Sequence, residues 1–135
     1  MPELYRLETA DGREVAGSVA VAATVWSRFA GLMFRRSLAD GHGLALRPCT
    51  SVHMFFMRFP LDVVFIDGDG RVLKIYAGIK PGRATGIVRK AKGCIELPAG
   101  TLARTGVVVG DVLTLTTGSP RPEHGSVSGE VAKGQ

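Results

Sequence analysis

Cys49 and His53, residue types with nucleophilic or metal-binding chemistry, stand four positions apart at the start of a stretch running from Cys49 to Asp67. The same stretch holds Met54, Met57 and Arg58, four of the six phenylalanines, and Asp62, a lone carboxylate inside the apolar run Phe59-Pro60-Leu61-Asp62-Val63-Val64-Phe65. A second carboxylate of this kind, Glu96, lies between Cys94 and Leu97. Three chemistries are open to these residues. A Cys49–His53 nucleophile pair needs contact at about 3 Å, whereas four residues of strand separate the two by roughly 13 Å. Only irregular backbone would bring them together, and otherwise Cys49 packs as a small hydrophobe. His53 and Met57, with Cys49, form a soft donor set suited to Cu(I). On an extended strand these three share one face while Met54 points away, and methionine among phenylalanines also serves as core filler. Finally, Asp62 and Glu96 are costly to bury unless paired. If both reach one cleft with His53, they make an acid/base or ligand-binding cluster, with Arg28 and Arg58 as further polar contacts. The structural alternative is that Asp62 accepts backbone amides, or pairs with Arg58 or Arg28, to fix a turn.

The elements that must position these groups follow from periodicity and turn chemistry. Leu4 to Thr9 alternates apolar and polar residues as a half-buried strand does, and Asp11-Gly12 signals a hairpin into a return strand from Arg13 to Ala22. Thr24 suits a helix N-cap. Val25, Trp26, Phe29, Leu32 and Met33 follow at helical spacing, with Arg35 and Arg36 in the last turn. Leu44 to Leu46 reads as a short strand stopped by Pro48, and Cys49 to Met57 as an extended stretch interrupted at Pro60. Leu61 to Ile66 reads as a buried strand, turning at Asp67-Gly68-Asp69-Gly70 into a partner from Arg71 to Tyr76. Gly93 to Leu97 is another strand, followed by a helical turn that Gly106 ends. Asp111 sets a turn before a last strand, Val112 to Thr116. Asp67 and Asp69 shape their turn and do not match a calcium loop.

The totals bound the class. A chain of 135 residues that is 45% hydrophobic suits one domain with one core. Residues 1–117 form that domain, and the Pro-, Ser- and Gly-rich residues 118–135 read as a disordered tail. No apolar run approaches the roughly 20 residues of a membrane helix, and the N-terminus lacks the pattern of a secretory signal. The cytoplasm is therefore the default location, or the periplasm or cell exterior if a leader has been removed. Net charge is +5, with the 17 Lys and Arg scattered and not interleaved with stacking aromatics, so specific nucleic-acid binding is not expected. The two cysteines are expected to be reduced in a cytosolic setting, although Cys49 and Cys94 could meet across a sheet. There is no CxxC, HExxH, P-loop or helix-opening GxGxxG. Many short strands with turns between them predict a mainly β, compact single-domain sandwich or barrel-like fold with one or two short helices.

Three ordered blocks carry a resemblance. They are Arg28-x-x-Gly31-Leu32-Met33-Phe34-Arg35, then Cys49-x-x-x-His53-x-Phe55-Phe56-Met57-Arg58-Phe59-Pro60-Leu61-Asp62-Val63-Val64-Phe65-Ile66-Asp67, then Glu96-Leu97-Pro98-Ala99-Gly100-Thr101 with Val109-Gly110-Asp111. Together they resemble the domain of unknown function 192 family, also called uncharacterised protein family 0127, from about Leu4 to Thr116. The resemblance implies a mostly β fold of sandwich type, found in bacteria and archaea; it does not imply a reaction, and the cofactor is unknown. Many relatives carry a leader or anchor. The leading functional expectation is a small-ligand-binding or structural module with a cleft beside Cys49–Asp62, contacted by Arg28, His53, Arg58, Asp62 and Glu96. The alternatives are a hydrolase-like enzyme using His53 with Asp62 or Glu96, and a copper site at His53, Met57 and Cys49. The identity of a small-molecule or protein partner is not legible.

Overall fold

The computed structural model describes residues 4–22, 37–54 and 57–117. The helix expected from Thr24 to Arg36, the side chains of Arg28, Phe55 and Phe56, and the tail from Gly118 lie outside the described residues. Seven strands form one sheet: β1 (Leu4–Thr9), β2 (Glu14–Ala22), β3 (His42–Leu46), β4 (Leu61–Ile66), β5 (Val72–Ile79), β6 (Gly93–Pro98) and β7 (Leu113–Thr116). A short helix, α1 (Thr101–Thr105), lies between β6 and β7. The strand order is β5-β4-β6-β3-β2-β1-β7. All neighbours are antiparallel except β2 and β3, and parallel strands require a crossover of a dozen or more residues, as the long β2–β3 connection supplies. Among the described residues no helix is long and apolar enough to cross a membrane.

The sheet curls until its two edges touch. The Val72 amide donates to the Asp111 carbonyl at 2.7 Å, Leu113 to Gly70 at 2.8 Å, and Gly110 to Val72 at 2.9 Å. This joins the start of β5 to the start of β7 and makes the fold barrel-like. The interior is filled from every strand, by residues such as Leu7, Val19, Ala45, Val64, Ile95 and Leu113, with Leu102 of α1 closing over them. A second apolar layer covers the outside of β3, β6 and β4, with Leu44, Leu61, Val63, Phe65 and Cys94 beneath Val52, Met54, Met57 and Phe59. The two layers explain why β4 and β6 are buried at every position. A strand covered on both faces has no polar alternation to show.

Turn carboxylates behave as their spacing predicts. Asp67 accepts the amides of Asp69 at 2.9 Å and Arg71 at 3.0 Å, and Asp111 accepts the amide of Val108 at 3.0 Å. The Arg71 amide, followed by that of Asp69, holds the Asp67 carboxyl below the ordinary aspartate value. Because that folded-state value is depressed, the stabilisation is complete above the unfolded value of about 3.8 and is lost as pH falls through the folded value. Asp67→Asn keeps an acceptor but cannot titrate. Thermal unfolding measured from about pH 6 down to about pH 2 is expected to show a shallower acid limb in the variant. Identical acid limbs would show that this turn adds nothing to the pH dependence.

Candidate functional site

The stretch from Cys49 to Met54, with Met57 and Phe59 after it, lies over the outer face of the sheet. The loop after β5 holds it there. The Val88 amide donates to the Thr50 carbonyl at 2.8 Å, Thr85 to Val52 at 2.8 Å, and Gly82 to Met54 at 2.9 Å. In return Met54 donates to the Arg83 carbonyl at 2.7 Å, and Val52 donates to the Thr85 hydroxyl at 2.9 Å. His53 faces Ala84 in an isolated antiparallel bridge. Along this run Val52 and Met54 turn down into the apolar layer, leaving His53 half-buried between them. A turn then intervenes, with Met57 donating to the Met54 carbonyl at 3.1 Å.

That turn corrects one expectation. An extended Cys49–Met57 puts Met57 on the face of Cys49 and His53, opposite Met54. The turn breaks the two-residue alternation and sends Met57, 6% exposed, into the same layer as the fully buried Met54. The donor set His53, Met57 and Cys49 therefore does not share a strand face. Among the described residues, no three His, Cys, Asp or Glu side chains converge in a way that could hold a metal.

The two carboxylates separate as well. β4 and β6 pair with Asp62 opposite Leu97 and Val63 opposite Glu96. Directly opposed residues share a face. Leu97 belongs to the interior and Val63 to the outer layer. Asp62 thus points inward and Glu96 outward, so the sheet itself lies between them. Asp62 and Glu96 therefore do not meet in one cleft. The Asp62 carboxylate, 1% exposed, is taken up by backbone. It accepts the amides of Gly78 at 2.8 Å, Gly100 at 3.1 Å and Leu102 at 2.9 Å. It ties β5 and the start of α1 to β4, which is the amide-accepting alternative raised by the sequence.

Glu96 is 0% exposed. It stands between Val63 and Leu44 in neighbouring strands and two residues from Cys94, on the same face. Cys94, 1% exposed, brings its sulfur to 2.8 Å from that of the half-buried Cys49, and the Cys49 thiol also donates to the Ser51 carbonyl at 3.3 Å. Arg58 is exposed immediately after Met57. Sequence reasoning left the Cys49–Cys94 contact open and did not find the loop that holds the segment. Neither leaves a local signal, because both depend on pairing between residues far apart in the chain.

The chain carrying this site matches the family model of DUF192, described as Uncharacterized ACR, over residues 6–115. This chain belongs to the DUF192 family. It is 36% identical over 110 residues to the UPF0127 protein of Pyrococcus furiosus, covering 79% of this chain and 94% of that protein. It is 32% identical over 111 residues to the UPF0127 protein of Thermococcus kodakarensis, covering 78% and 69% respectively. Two crystal structures are similar to the DUF192 fold described above. One is of a Sinorhizobium meliloti protein described as a candidate transcription regulator, with TM-score 0.71 and 34% identity over 85% of this chain and 94% of that one. The other is a protein of unknown function from Novosphingobium aromaticivorans, with TM-score 0.69 and 25% identity over 82% and 83%. The family membership agrees with the blocks read from the sequence and brings no reaction with it.

Proposed function

We propose that this DUF192 chain is a non-enzymatic module that binds a small ligand on the outer face of β3, β6 and β4, beneath the Cys49–Met54 segment. The observation that carries the reading is Glu96, a carboxylate wholly buried on the central strand of that face. Small-ligand sites combine apolar walls with a few placed polar groups. Here the walls are Val52, Met54, Met57 and Val63, and the polar groups are Glu96 and the two thiols. Arg58 stands at the margin. Asp62 is assigned to the fold, since its carboxylate is spent on three amides. The module is expected to work in the cytoplasm, where cysteines are kept reduced.

A ligand-observed NMR screen of a small-molecule library tests this, run on wild type and on Glu96→Gln. Compounds that bind wild type are expected to lose at least about tenfold in affinity for Glu96→Gln, equivalent to about 1.4 kcal/mol, while circular dichroism shows the same fold. Hits that bind both proteins equally, or a screen without hits, would overturn the reading.

A further inference from the structure

We infer that Cys49 and Cys94 are a dithiol site that reacts with low-molecular-weight disulfides, closing a reversible bridge that pins the Cys49–Met54 segment to β6. The consequence for ligand access rests on the binding-face reading above, whereas the bridge itself stands on geometry. β3 runs antiparallel to β6 with Leu46 opposite Cys94, and the chain then turns at Arg47-Pro48 so that Cys49 returns over Cys94. Close approach at this end is built into Gly93, where a side-chain carbon would lie 2.8 Å from the Leu46 carbonyl and 2.9 Å from Arg47. The two sulfurs end 2.8 Å apart. They differ in access, since Cys94 is 1% exposed on a central strand while Cys49 is half-buried at the start of the covering segment.

That asymmetry assigns the roles. The Cys49 thiol gives its proton to solvent, and the thiolate attacks one sulfur of a small disulfide such as glutathione disulfide. The external S–S bond breaks, one glutathione thiolate leaves and takes up a proton, and a mixed disulfide remains on Cys49. The Cys94 thiol, already directed at the Cys49 sulfur, loses its proton and attacks that sulfur. The Cys49–Cys94 bond forms, and the second glutathione leaves as a thiol. Two protein thiols are oxidised and one external disulfide is reduced to two thiols, so electrons and protons balance. In the bridged form the segment that carries His53 is tied covalently to the strand that carries Glu96, two residues from the bond. The reduced form leaves the segment held by the hydrogen bonds of Thr50, Val52 and Met54 to the loop after β5.

The native protein is equilibrated with mixtures of reduced and oxidised glutathione, quenched with iodoacetamide and mapped by mass spectrometry. Wild type is expected to convert to a single intramolecular Cys49–Cys94 linkage that glutathione reverses. Cys94→Ser should stop at the mixed disulfide on Cys49, and Cys49→Ser should stay unmodified while folded. Hydrogen exchange on the bridged and reduced forms provides the second readout, with the Val52 and Met54 amides slowed about tenfold on bridging. Failure of wild type to form the internal linkage, or equal glutathionylation of Cys49→Ser and Cys94→Ser, overturns the dithiol site. A linkage that leaves those amides unchanged overturns the pinning. A linkage with slowed amides, together with no ligand found for the Glu96 face, sustains this inference and removes only the binding-face reading.

Discussion

Asp62→Ala is expected to lose about 3–5 kcal/mol of folding stability. The carboxylate is buried and receives three backbone amides, from Gly78, Gly100 and Leu102. Hydrogen bonds to a charged group contribute more than neutral ones, and truncation strands the buried Leu102 amide away from water. The loss falls where three elements meet, since β4 carries the carboxylate, β5 contributes Gly78 and the start of α1 contributes the other two donors. Asp62→Asn retains one acceptor but turns an NH2 group toward N–H donors, so about half the loss is expected. Urea unfolding followed by circular dichroism measures both. A loss below about 1 kcal/mol for the alanine variant would mean that water or rearranged backbone satisfies these amides, and Asp62 would then return as a candidate for the binding site.

Gly70→Ala is expected to cost about 3 kcal/mol or more, by two separable effects. Gly70 has φ +86, in the left-handed region, and a side-chain carbon there would lie 2.3 Å from the Leu113 carbonyl oxygen. The first effect costs an alanine about 1–2 kcal/mol. The second cannot be relieved by a side-chain rotation, because the obstructing atom is backbone. Relief requires β7 to move from the turn before β5, which breaks the 2.8 Å bond from the Leu113 amide to the Gly70 carbonyl. Gly12→Ala is the control, as it shares a positive φ of +94 and meets nothing within 4 Å, so its cost reports strain alone. Thermal unfolding of the pair should place Gly70→Ala well below Gly12→Ala. Equal midpoints would show that the β5–β7 contact does not close the barrel.

The parts of this fold that depend on near neighbours are legible in the chain's residues alone. Asp11-Gly12 and Asp67-Gly68-Asp69-Gly70 mark two hairpins because their turns demand particular backbone conformations. The run from Leu61 to Ile66 is legible as a strand because it is apolar except for Asp62, and Gly106 ends the short helix in the left-handed conformation expected of a C-terminal glycine, with φ 74. The same local logic anticipated the amide-accepting role of Asp62 as one of two readings. The sequence did not show that Asp62 and Glu96 face opposite ways, because a strand's facing is decided by its register against another strand, and a shift of one residue would invert it. It placed Met57 beside His53 because alternation was carried through a turn that no Gly or Asn announces. Cys49 and Cys94 are 45 positions apart, and their contact exists only because β3 lies beside β6 in a strand order that no local pattern encodes. Local conformational preference shaped the elements, whereas burial of both faces of one curled sheet decided which side chains meet.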